Sequence, residues 1–155
     1  MPEAMRAMNP DAFRRLLLSL GRFARRTWAC LWVLPMTCMA VPFVVAAMLG
    51  WGRLRMHTGV LEVHGGLSEW WLRRMVPLKG GATAMTIGHV VIGRDEAALD
   101  RTRAHERVHV RQAERWGPLF GPAYLLASLR AHRRGGHYYR DNAFERQARE
   151  QSGQG

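Results

Sequence analysis

Two histidines four residues apart, with a glutamate directly after the first, lie in the stretch HERVHVRQ (105–112). On a helix, positions i and i+4 share a face, so His105 and His109 can point two imidazoles at one ion. Glu106 is rotated away by one residue. It is placed to reach a water on that ion but not to ligate beside the histidines. This is the H-E-x-x-H arrangement, two zinc ligands plus a general base. Zinc lowers the pKa of its water and polarises a carbonyl. The carboxylate takes the water's proton and can pass it to a leaving amine. Two histidines leave a catalytic zinc one protein ligand short. The last helical stretch offers Asp141, Glu145 and Glu150 as acidic candidates. Asn142-x-x-Glu145 also has the spacing of a capping-box-like pair, in which Glu145 would bond the backbone of Asn142. Gln112 follows His109 by about one turn on the same face and is expected to hydrogen-bond a ligand.

The other histidines, His57, His64, His89, His132 and His137, are scattered, and hydrogen-bonded or solvated roles suit each of them. His89 attracts most interest, because it sits on the strand expected nearest the site. Tyr138, Tyr139 or His137 could donate to an oxyanion. The arginines of the motif helix (Arg101, Arg103, Arg107, Arg111, Arg115) mostly fall on faces away from His105, His109 and Gln112. The histidine face is thus the less charged one, as a buried site requires.

The elements that must hold these residues follow from local signals. Residues 54–63 predict one strand, closed by the Gly65–Gly66 turn. Ser68 is placed to cap a short helix over EWWLRRM (69–75), ending at Pro77. AMTIGHVVI (84–92) predicts a second strand rich in Thr, Ile and Val. Asp95 caps the motif helix, which runs to Trp116 and stops at Gly117–Pro118. LFGPAYLLASLRAH (119–132) forms another helix, apolar enough to pack inside or touch a bilayer, and Gly135–Gly136 breaks it. NAFERQAREQ (142–151) is the last helix. Strands first and helices after give an α+β class. Strand, turn and helix in that order are the setting that a zincin site demands.

TIGHVVIG followed by AHERVHVRQ resembles the HExxH metallopeptidase domain of extracellular contractile injection system proteins. That family pairs a T-x-G-x-x-[IV] strand with a helix carrying H-E-x-x-H-V-x-Q. The likeness covers about residues 84–112. ERQA (145–148) resembles the E-x-x-A motif of integral-membrane gluzincin peptidases, whose glutamate is the third zinc ligand. Those enzymes commonly carry Asp next, where this chain has Arg149. The resemblance implies a gluzincin-like zinc site with Glu145 completing His105 and His109. It implies no substrate.

The chain has 155 residues, room for one modest domain. Its net charge is +11, yet Lys79 is the sole lysine among the 23 basic residues, and the arginines are dispersed rather than gathered. Such dispersal argues against a nucleic-acid interface. From Trp28 to Trp51 no residue is charged. That length, with tryptophan at both ends, predicts a transmembrane helix over 28–51, kinked at Pro35 and Pro42. A signal peptide would need a shorter charged leader and a cleavage site that is not visible here. Cys30 and Cys38 on one helix stand about 12 Å apart, too far for a disulfide. Residues 1–27, with Arg6, Arg14, Arg15, Arg22, Arg25 and Arg26, predict a basic amphipathic segment on the inner leaflet. Against Arg53 and Arg55 on the other flank, they place the N-terminus in the cytoplasm and residues 53–155 outside. The expected molecule is a zincin-like α+β domain behind one span, a zinc-dependent peptidase. An edge strand over 84–92 would hold a peptide or protein substrate. The bilayer or another subunit could complete its cleft. The rival expectations are a non-catalytic membrane protein with a closed structural metal site, and a basic membrane-anchored binding module.

Overall fold

The computed structural model describes residues 10–153, so Arg6 and the chain termini lie outside the described residues. Helix α1 (Pro10–Cys38) is followed by α2 (Val41–Met48), strands β1 (Arg53–His57) and β2 (Val60–His64), helix α3 (Gly66–Arg74), and strands β3 (Ala84–Ile87) and β4 (Val90–Gly93). The motif helix α4 (Glu96–Trp116) leads through a 3-10 turn (Gly117–Leu119) to α5 (Phe120–Arg133), and α6 (Ala143–Ser152) closes the chain. The class is α+β, around a four-stranded sheet in the order β1-β2-β4-β3. β2 and β4 are parallel, and the two outer pairings are antiparallel.

Each of the two expected strands is a hairpin. Thr58 and Gly59 take positive φ (43° and 80°) and turn the 54–63 run back on itself, the two-residue geometry that suits a twisted hairpin. Gly88 (φ 65°) divides 84–92 in the same way. Each segment is rich in strand-forming residues on both sides of the turn, so strand propensity alone did not reveal the break. The expected Ser68 cap is also corrected. Gly65 is the N-cap of α3, and Ser68 lies inside the helix, buried. Asp95 does cap α4, with Oδ1 accepting from the Ala98 amide at 2.6 Å.

The sheet buries both faces. Val63, Val90 and Ile92 face α2 and α3 and meet Ala40, Phe43, Ala47 and Leu72. Val60 and Val91 face α4 and meet Leu99 and Val110. β4 is buried at every position, as its unbroken Val-Val-Ile run requires for a central strand. On the α4 face Glu62 is also buried, where it is held by Arg55 and Arg103.

The uninterrupted span over 28–51 is replaced by two helices. α1 continues straight through the expected 27/28 boundary to Cys38, and α2 leaves at 74°. Pro42 sits in the first turn of α2, where its missing amide proton is harmless, instead of kinking a longer helix. The bend also brings Ala40, Phe43 and Ala47 onto the sheet, and Val33 onto Ala113 and Phe120. No single helix among the described residues is long and apolar enough to cross a membrane. The bent pair Phe13–Cys38 plus Val41–Met48 is, by length and composition.

Candidate metal centre

α4 and α6 lie side by side, and the site forms where they face each other. His105, Glu106, His109 and Gln112 are all buried on the inner face of α4, while Arg101, Arg111 and Arg115 are exposed on its outer face. The 3.6-residue repeat brings the histidines together as expected. Glu145, also buried, projects from the first turn of α6 toward them. His105 Nε2 and His109 Nε2 are 3.0 Å apart. Glu145 Oε2 lies 3.2 Å from His105 Nε2, and Oε1 lies 3.3 Å from His109 Nε2.

The spacing of these atoms suits a cation. Two ligand atoms about 2.1 Å from one ion at the tetrahedral angle stand roughly 3.4 Å apart; the two histidine nitrogens and each nitrogen's nearer Glu145 oxygen come close to this, and one ligand atom from each of the three residues lies within 4.8 Å of the others. Protonation points the same way. Gln112 Nε2 donates to the Phe144 carbonyl at 3.1 Å and to Gln147 Oε1 at 2.8 Å. A carbonyl only accepts, so the amide orientation is fixed and Gln112 Oε1 faces His109 Nδ1 at 2.8 Å. That nitrogen therefore carries a proton, and whenever the ring is neutral its lone pair at Nε2 points toward Glu145 and His105. Glu145 Oε2 is buried and accepts no hydrogen bond, a situation that costs about 1–3 kcal/mol unless a cation or proton relieves it. Two imidazoles and a carboxylate form a donor set that suits a first-row divalent metal, and the three side chains could hold one.

The surroundings bias the charges. Burial alone would raise the Glu145 carboxyl, but the His105 and His109 rings and the Tyr124 hydroxyl overcome it and hold it well below the usual carboxylate range. Burial works against a charged His109, yet the Glu145 and Glu106 carboxylates raise its pKa. Glu106 is raised, mainly by burial, with His109 and a hydrogen bond from Thr86 offsetting only part. Thr86 Oγ1 donates to Glu106 Oε2 at 2.7 Å from the edge strand β3. Tyr124 on α5 donates to Glu145 Oε1 at 2.7 Å. Burial and the nearby Glu145 carboxylate raise the phenols of both Tyr124 and Tyr139, so both remain O–H donors.

Of the three acidic candidates, only Glu145 joins the histidines. Asp141 is exposed and accepts from the His137 amide at 2.7 Å, and Glu150 is exposed on the far side of α6. Glu145 does not act as a cap. Asn142 Oδ1 accepts from the Phe144 amide at 2.9 Å, and the Asn142 amide is already given to Tyr139 O. Gln112 bonds a histidine as expected. None of His57, His64, His89, His132 and His137 joins the group. His89 is paired with Glu114 at 3.1 Å, away from the site. Among the expected oxyanion donors, Tyr138 is committed to the Pro77 carbonyl and His137 Nδ1 accepts from two backbone amides of its own turn. Of the three, Tyr139 is the one whose phenol feels the Glu145 carboxylate.

Sequence reasoning did not find Tyr124 or the role of Thr86. Thr86 stands at the head of TIGHVVIG, but only the pairing of β3 beside α4 shows what it bonds. Tyr124 carries no local signal, because its partner is 21 residues away on another helix. No protein-family model matches this chain, and no curated protein or solved structure does.

Proposed function

We propose that the chain is a zinc-dependent peptidase held at a membrane by its α1–α2 pair. The convergence of His105, His109 and Glu145 on one point, with the buried Glu106 next in sequence, carries this reading. Bound zinc would supply a Lewis acid that acidifies a water and polarises a scissile carbonyl. The chain's own groups provide the rest. Glu106, raised by burial, is a stronger base than an exposed carboxylate, and it takes the water's proton and returns it to the leaving amine. Thr86 fixes that carboxylate's rotamer. Gln112 fixes the tautomer of His109. Tyr139 is the candidate donor to the developing oxyanion.

An extended peptide would add to β3, which ends the sheet and has only β4 as a neighbour. In the membrane-held reading, Arg14, Arg15 and Arg22 against Arg53 and Arg55 favour a cytoplasmic N-terminal side. A closed structural site, the rival reading, calls for a fourth protein ligand. Among the described residues, no fourth His, Cys, Asp or Glu joins the group.

The test pairs zinc content with hydrolysis. Wild type should carry about one zinc per chain and cleave a peptide library. Glu106→Gln should keep the zinc and lose cleavage by roughly a hundredfold or more. Glu145→Ala should lose the zinc itself. Full zinc content in Glu145→Ala, or undiminished cleavage by Glu106→Gln, would sink the reading.

A further inference from the structure

We propose that the outward face of α5 seats on an anionic lipid bilayer. This rests on the membrane-held reading above and adds a contact that reading does not contain. α5 is apolar on two sides. Its inner side buries Phe120 and Ala131 and directs Tyr124 to Glu145. Its outer side exposes Leu125 (69%), Leu126 (66%) and Leu129 (43%) along one helical stripe. Single exposed leucines are ordinary, but a stripe of them marks a surface that something covers.

The stripe continues an apolar surface that begins on α1. Trp28 and Trp32 stack with centroids 6.5 Å apart, and both are exposed. Trp32 lies over Gly117, where an added Cβ would come within 2.3 Å of the indole. Leu119, 57% exposed, follows two residues later and leads directly into α5.

Charge selects the occupant. From Gly117 to Arg140 there is no Asp or Glu, and Arg130, Arg133 and Arg134 gather, exposed, at the end of the stripe. Leucines flanked by uncompensated arginines match acyl chains below phosphate headgroups. A second copy of the chain would bring the same positive charge to the patch and be repelled.

The experiment uses the full chain with the exposed Cys30 and Cys38 replaced by serine. An environment-sensitive fluorophore is attached at Leu126→Cys, or at the exposed control position Glu150→Cys on α6. Vesicles of phosphatidylcholine and phosphatidylglycerol should shift the label at 126 to the blue, and a lipid-borne quencher should extinguish it. The label at 150 should not change. Arg133→Gln should weaken partitioning onto these vesicles about fivefold. If the protein sediments with vesicles while the label at 126 stays solvent-like, the α5 contact is overturned and the membrane-held reading survives. Protein that remains in the supernatant overturns both. Shielding of the label without lipid, growing with protein concentration, identifies a second copy as the occupant and overturns the proposal.

Discussion

At the centre, a lone pair is aimed by a chain of hydrogen bonds that starts at a backbone carbonyl. Phe144 O orients the Gln112 amide, the amide oxygen accepts from His109 Nδ1–H and so holds the proton there, and Nε2 is left to bind. Partners of this kind typically contribute 10–100-fold to metal affinity. Gln112→Leu should therefore weaken zinc binding by about that factor while leaving His105, His109 and Glu145 in place. A competitive zinc titration checks it, and unchanged affinity would mean that the tautomer is set some other way. The residues of the candidate site were legible in the sequence to different degrees. His105 and His109 follow from helical spacing, and Gln112 from the next turn. Glu145 needed a motif resemblance, since Asp141 and Glu150 share its helix region and only the packing of α6 against α4 separates the three. Thr86 and Tyr124 were illegible, because a hydroxyl's partner across 20 or more residues leaves no local pattern.

Elements position the site through two polar clamps. Asn142 is fully buried; it caps α6 and donates from Nδ2 to Tyr124 O at 3.0 Å and Ser128 Oγ at 2.8 Å, tying α6 to α5. Asn142→Ala removes the cap and strands two acceptors, which should cost about 2–3 kcal/mol in a urea melt. It should also lower zinc affinity, because Glu145 rides on the helix it starts. A loss below about 0.5 kcal/mol would show that packing alone holds α6. The second clamp is Glu62, which joins the sheet to α4 through Arg55 and Arg103. Burial alone would raise its carboxyl, but the arginine hydrogen bonds overcome this and lower it from the ordinary 4.5. A depressed folded pKa gives stability that is present above the unfolded value and lost as pH falls through the folded one. The protein should therefore weaken below about pH 4.5, and Glu62→Gln should be less stable at neutral pH with a flatter acid limb. Equal acid slopes in the two proteins would remove Glu62 from the account. The helices around these clamps were read nearly to the residue, since caps and Gly-Pro stops are local. The hairpins were not, since Thr58–Gly59 lies inside a run whose strand-forming residues continue on both sides, and a two-residue turn is too short to stand out as a loop.

The apolar run from Trp28 to Trp51 changes meaning at the scale of the whole molecule. Read alone it has the length of a bilayer. In the fold it divides at Met39–Ala40, and Val33, Ala40, Phe43 and Ala47 become core of the same domain that carries the candidate metal centre. Sequence hydropathy counts apolar residues but not which side of a helix another element covers. What stays uncovered is the first half of α1, exposed at every position from Phe13 to Ala24, further residues of α1 and of the end of α2 such as Trp28, Leu31, Met48 and Leu49, and the α5 stripe. The candidate metal centre and the proposed lipid contact then share a wall. Tyr124 on the inner side of α5 bonds Glu145, and Leu125 and Leu126 lie on the outer side. A helix is about 10–12 Å across, so a docked α5 sets the centre roughly one helix diameter from the lipid surface. Polypeptide segments emerging from the bilayer would pass the site at high effective concentration. A test peptide anchored to vesicles by an acyl chain and a short linker should be cleaved at least about tenfold faster at low substrate than the same peptide free in solution. The gain should appear in apparent KM and not in kcat, because docking changes encounter and leaves the chemistry of Glu106 alone. Leu125→Ser with Leu126→Ser should keep the rate on free peptide, both side chains being exposed, and lose the preference for the anchored one. Equal rates on anchored and free peptide in the wild-type chain would show that the centre does not work at the lipid surface.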